Sequence, residues 1–132
     1  MAEMIARFKP GENIAVYASA SQILAGRFVG VSGKDARGAY IGAHATAAGR
    51  AFGVAEQDSA PTTYASHATE RMVNVVRRGA VAMVTAGDAI AAGAEVEVGA
   101  GGKAVTIAAG VAVGRALTAA AGDGSIIEVD LY

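Results

Sequence analysis

The chain has 132 residues and a mass of 13.0 kDa, enough for one domain with one real core. It sets 11 Lys plus Arg against 12 Asp plus Glu, a formal charge of −1, and has no cysteine. That excludes a disulfide scaffold, a thiolate metal site and a cysteine nucleophile.

Alanine and glycine dominate. The 33 alanines and 18 glycines are 39% of the residues, while Val, Ile, Met, Tyr, Leu and Phe together supply 37 residues. The core is therefore built from small side chains. Alanine is the best helix former, yet Val plus Ile number 23 and Leu only 3, and glycine recurs every few residues. Each glycine inside a helix costs about 1 kcal/mol relative to alanine. Short β-strands divided by glycine turns fit this pattern better.

In chain order, Met1–Pro10 lacks the charged start and long apolar run of a signal peptide. Asn13–Ala18 reads as a strand after the Pro10-Gly11 turn. Gln22–Val31 reads as a long strand with bulges or close backbone approach at Gly26 and Gly30. Ala39–Ala43 and Arg50–Glu56 follow. Thr62–Glu70 reads equally as a short helix opened by Pro61, capped by Asp58 or Ser59, and as an exposed loop. Arg71–Arg77 is a strand that turns at Arg78-Gly79 into Ala80–Thr85, and Ala86–Gly93 is a wide turn. Glu95–Val98 alternates charge with valine, which puts Glu95 and Glu97 on the solvent face; Glu128 and Asp130 share such a face near the end. Gly99–Gly102 turns into Lys103–Ile107. Val111–Thr118 and Ser125–Leu131 close the chain around Ala119–Gly124. The segment Gly49-x-Ala51-x-Gly53-x-Ala55 recurs as Gly110-x-Ala112-x-Gly114-x-Ala116, an echo that Ala and Gly abundance alone can produce. The fold class is mainly β: a compact barrel or sandwich-like domain of short strands over 13–132, with at most one short helix, after a possible N-terminal arm over 1–12.

Chemistry is sparse. His44 has no ligand-type neighbour, and His67 has Glu70 at i+3, a pair that usually lies on the surface. A small hydrolase using His67 and Glu70 would still need a nucleophile, and no Gly-x-Ser-x-Gly elbow exists. Gly33-Lys34 and Gly102-Lys103 both fail the phosphate-loop pattern, since Asp35 and Ala104 follow the lysines. Gly102-Lys103-Ala104 lacks the acidic or methionine residue that precedes the modified lysine of biotin and lipoyl carriers. With no Trp and 5% aromatics, a sugar-stacking cleft is poorly supplied. Arg71-Met72-Val73-Asn74-Val75-Val76-Arg77-Arg78 is the most basic stretch, but no aromatic platform interleaves its arginines. Arg71, Arg77 and Arg78 are better read as ion-pairing residues within the domain or across an interface. No catalytic residue, cofactor site or metal site is assigned. Neither a nucleic-acid nor a membrane partner is expected.

The second half carries a resemblance. It runs Arg78-Gly79, Thr85-Ala86-Gly87-Asp88-Ala89-Ile90, Gly93-Ala94-Glu95-Val96, Gly102-Lys103-Ala104-Val105, Val113-Gly114-Arg115-Ala116, Gly122-Asp123-Gly124 and Ile127-x-Val129-x-Leu131. This series of turns and steps resembles the small phage capsid cement, or head decoration, proteins over residues 48–132. Phe52-Gly53-Val54-Ala55 matches the same family's Val-Gly-x-Ala step. The resemblance implies a structural virion protein, not an enzyme, assembled in the host cytoplasm and bound to the capsid exterior as a homotrimer. It implies that the major capsid protein is the partner and that the expanded head is stabilised by cementing neighbouring subunits. It also implies an N-terminal arm, for which Met4, Ile5, Arg7 and Phe8 are the candidate contacts, with Arg71, Arg77 and Arg78 at a capsid or subunit interface. The arm would add a strand to a capsid sheet edge; an ordinary first strand of the domain's own sheet is the competing reading. A non-catalytic binding module, glycan-binding or carrier-like, is the alternative function.

Overall fold

A computed structural model describes residues 13–132. Ten short strands account for the regular structure, and glycine or alanine turns separate most of them. Five form a closed barrel: β1 (Ile14–Ala18), β2 (Phe28–Lys34), β3 (Tyr40–His44), β4 (Gly53–Ala55) and β5 (Met72–Val76), in the order β1-β3-β2-β4-β5. The barrel closes by antiparallel β5–β1 pairing, and β1–β3 is its parallel contact. The other five are β6 (Val81–Thr85), β7 (Glu95–Val98), β8 (Ala104–Thr106), β9 (Gly114–Ala116) and β10 (Ile126–Leu131), in a sheet ordered β6-β10-β9-β7-β8. The mainly β expectation holds, and the strands fall where the β-branched runs stand.

Two local expectations are corrected and one open choice is decided. Gln22–Val31 is not one strand: a turn through Gly26, at φ 72°, precedes β2. The bulge lies between Val31 and Gly33 instead. Of the two readings of residues 62–70, the exposed loop holds. The residues run as turns, with a 3₁₀ turn only over Thr69–Arg71, and His67 adopts a left-handed φ of 61°. Glu97 is buried, because the 45–50 and 107–113 loops fold over its end of β7 and its carboxylate accepts the Gly110 N–H.

The two sets of strands are tandem copies of one unit. A parallel bridge, Ala86 to Ala104, joins the two edges of the second sheet. The second cycle is then β6-β8-β7-β9-β10, the same path as β1-β3-β2-β4-β5 with its parallel contact at the same place. The hydrogen bonds repeat as well. Gly26 N–H donates to Ala55 O at 2.9 Å, and Gly93 N–H to Ala116 O at 2.7 Å. Ala55 N–H donates to Arg27 O, and Ala116 N–H to Ala94 O. Phe52 N–H donates to Val29 O, and Val113 N–H to Val96 O. The echo of Gly49–Ala55 in Gly110–Ala116 is thus a structural repeat. Gly53 and Gly114 begin the matched strands β4 and β9 for one reason. A Cβ at Gly53 would stand 2.2 Å from Val76 O, and one at Gly114 would stand 2.7 Å from Asp130 O.

Two apolar clusters hold the molecule. Val16, Ala18, Ile23, Val29, Ala55, Val73 and Val75 fill the barrel. The second cluster, around Val84, Val96, Ile127 and Val129, extends onto Phe28, Ala45 and Val54 from the barrel. Phe28, the largest fully buried side chain, therefore binds one unit to the other. Burying such a side chain is worth about 2–3 kcal/mol.

Candidate functional site

The repeat has one large asymmetry. Thirteen residues (60–72) separate Ser59 from Val73 in the first unit, while six (121–126) separate the matched Ala120 from Ile127. The longer connection is held by Arg71. Its guanidinium is buried and donates to Ala18 O at 3.1 Å, Ser19 O at 2.7 Å and Tyr64 O at 3.3 Å, with the Tyr17 ring 5.0 Å away. Arg71 is thereby turned inward. Above it His67 stacks on Tyr17 at 4.7 Å and lies 3.3 Å from the Asp35 carboxylate. Ser66 Oγ is 3.2 Å from Tyr17 Oη. Asp35 also accepts the Arg37 and Ala39 N–H groups through its other oxygen. These contacts fasten the 60–70 connection across the barrel end. Glu70 is exposed and is not hydrogen-bonded to His67.

Arg77 and Arg78 stand at the end of β5, where the chain crosses from the first unit to the second. The Arg77 guanidinium lies 3.9 Å over the Phe52 ring, and its buried Nε has no hydrogen-bond partner. Burial, then the charge of Arg78, holds it below its ordinary pKa, with Tyr40 acting in the opposite sense. Together with Arg50, Ala51, Val111, Ala112, Val113 and Tyr132 they line a cleft of about 300 Å³. Sequence reading did not find Arg50 or Phe52, because both belong to a loop that only the fold brings beside Arg77. On the far side Arg115 Nε donates to Tyr132 Oη at 3.4 Å.

A second surface sets exposed apolar side chains beside Glu128 and Asp130. Val81, Met83 and Ile126 are 57%, 57% and 65% exposed on the outer face of β6 and β10. They adjoin a groove of about 390 Å³ against Gly26, Val54 and Val76 of the barrel. Other candidates are accounted for internally. The Lys103 ammonium lies 2.7 Å from Asp123. His44 Nε2 accepts the Leu24 N–H at 2.9 Å, and burial, then the charge of Arg27, lowers its pKa. Among the described residues, no group of three or more His, Asp or Glu is placed to hold a metal ion. Met4, Ile5, Arg7 and Phe8 lie outside the described residues.

A family model described as phage cement protein matches residues 8–131. The chain belongs to the phage cement protein family. Among solved structures, the head fiber gp8.5 N base of bacteriophage phi29 has the same fold, with a TM-score of 0.72 at 22% identity over 92% of this chain and 93% of that one. No curated protein sequence matches. Family membership makes this chain a structural protein of the phage capsid, located in the virion.

Proposed function

We propose that the protein binds the outer surface of the capsid and stabilises the expanded head by cementing neighbouring major capsid subunits. The observation that carries this reading is the family match over nearly the whole chain. Two features of the molecule support it. The exposed side chains of Val81, Met83 and Ile126, on a face shared with Glu128 and Asp130, are available for contact. The fold is a pair of closely turned units joined by a shared apolar cluster. Many identical weak contacts around a shell then add to a large total avidity.

The finer assignments belong to the same proposal. The protein acts as a homotrimer, residues 1–12 form an arm with Met4, Ile5, Arg7 and Phe8 in contact with a neighbouring subunit, and 13–132 are one decoration domain. Arg77 and Arg78 face the interface, whereas Arg71 serves the domain's own loop. Assembly takes place in the host cytoplasm, and no catalytic step is involved. The carrier-like alternative draws no support from Lys103, whose ammonium is engaged by Asp123. Mixing the purified chain with bare expanded heads of its phage tests the proposal. Co-sedimentation at saturable stoichiometry and a raised temperature of head disruption are the expected results. Heads that neither bind it nor gain stability would refute cementing. Mass measurement of the free chain in solution reads the trimer directly.

A further inference from the structure

The tandem repeat supplies an internal control for the arginine cleft. Phe52 N–H to Val29 O matches Val113 N–H to Val96 O, so positions 50, 51 and 52 correspond to 111, 112 and 113. The registers Val54 to Val76 and Arg115 to Asp130 carry the correspondence on, matching 78 with 132. The cleft is thus walled by the same segments taken from both units. At the matched positions one unit has Arg50, Phe52 and Arg78, and the other has Val111, Val113 and Tyr132. The backbone tolerates apolar residues there, so the scaffold does not require the arginines.

The arginines also carry a cost. Arg77 and Arg78 are adjacent like charges, and Arg77 keeps a buried Nε with no acceptor. No Asp or Glu among the described residues forms an ion pair with Arg50, Arg77 or Arg78. A desolvated cation without an acceptor is destabilising. The unpaired guanidinium charges are offset when a ligand brings an acceptor into the cleft.

We propose that this cleft receives a carboxylate side chain, flanked by an apolar one, from an extended segment of the protein partner. The carboxylate meets the guanidiniums of Arg50, Arg77 and Arg78, and the apolar neighbour packs on Val111 and Val113. A nucleic-acid backbone fits less well. It needs a row of cations, whereas these three arginines are confined to one small cleft with an apolar wall. The identity of the partner as capsid protein rests on the reading above; the chemistry of the cleft does not.

The test is a titration of the full-length chain, followed by amide NMR, with a capped Val-Glu-Phe peptide, its Gln counterpart and inorganic phosphate. Saturable shifts at residues 50–52, 77–78 and 111–113 with the Glu peptide, weakened by about tenfold with the Gln peptide, are expected. Arg50→Gln and Arg78→Gln, both at exposed positions, each weaken Glu-peptide binding while leaving the thermal midpoint unchanged. Arg78→Glu abolishes binding of the Glu peptide. Equal binding of the Glu and Gln peptides, or of phosphate more tightly than either, overturns the proposal. So does peptide binding that emerges only after Glu3→Gln and Glu12→Gln, since the occupant is then the chain's own segment. Head binding of the same variants separates the two claims. Wild-type binding that survives Arg50→Gln with Arg78→Gln contradicts the cleft assignment alone, and absent wild-type binding contradicts the cementing reading alone.

Discussion

Single residues set the tolerances of this molecule. Gly53 and Gly114 occupy the same place in the two units, and each would drive a Cβ into the neighbouring strand's carbonyl. Gly53→Ala and Gly114→Ala should each destabilise the fold by about 3 kcal/mol in urea unfolding, because backbone on both sides must move. Arg71 is a polar version of the same idea. Arg71→Met leaves the carbonyls of Ala18, Ser19 and Tyr64 without their donor, and a loss of about 3 kcal/mol is expected. Arg71→Lys should not restore it, since one ammonium cannot reproduce the planar fork. His44 adds a pH dependence. Its folded pKa is below the ordinary 6.5, so the folded state binds fewer protons than the unfolded one. Stability is full above the ordinary value and falls as pH drops through about 6.5 and below. Chemical denaturation at pH 7.5 and pH 5 measures this, and His44→Gln should flatten the difference.

At the scale of elements, the sequence was most readable where a strand has β-branched residues between glycine turns. Glu95–Val98 is bounded as its alternation indicates, and β10 keeps Glu128 and Asp130 in solvent. It was least readable where tertiary contacts decide. Pro61 and Asp58 are sound helix-start signals, yet Arg71 and the Tyr17–His67 stack draw residues 60–70 across the barrel end instead. Glu97 follows a solvent-facing pattern, yet a loop 13 residues away covers it. That loop depends on the carboxylate as a hydrogen-bond acceptor. Glu97→Ala should cost about 1–2 kcal/mol and release the Gly110 amide to fast hydrogen exchange, whereas Glu97→Gln retains part of the protection. The arginine cleft was half legible. Arg77 and Arg78 stand out as a basic run, but their partners Arg50, Phe52 and Val111 come from loops whose proximity only the paired units create.

The whole molecule is a duplicated five-stranded unit with a shared core, and this gives the abundance of small residues its physical meaning. Alanines such as Ala18, Ala86 and Ala104 sit fully buried at the parallel contact of each unit, where a larger side chain would part the strands. Because Phe28, Ala45 and Val54 join the second unit's cluster, the two units should unfold together. Circular dichroism and tyrosine fluorescence would then give one coincident transition, and two separated transitions would mean independent units. An electron cryo-microscopy reconstruction of the phage particle tests cementing most directly. The account predicts density for the paired β units on the outer surface of the expanded head, each copy spanning a junction between major capsid subunits. Density confined to the interior, to the tail or to the body of a single capsid subunit would contradict it.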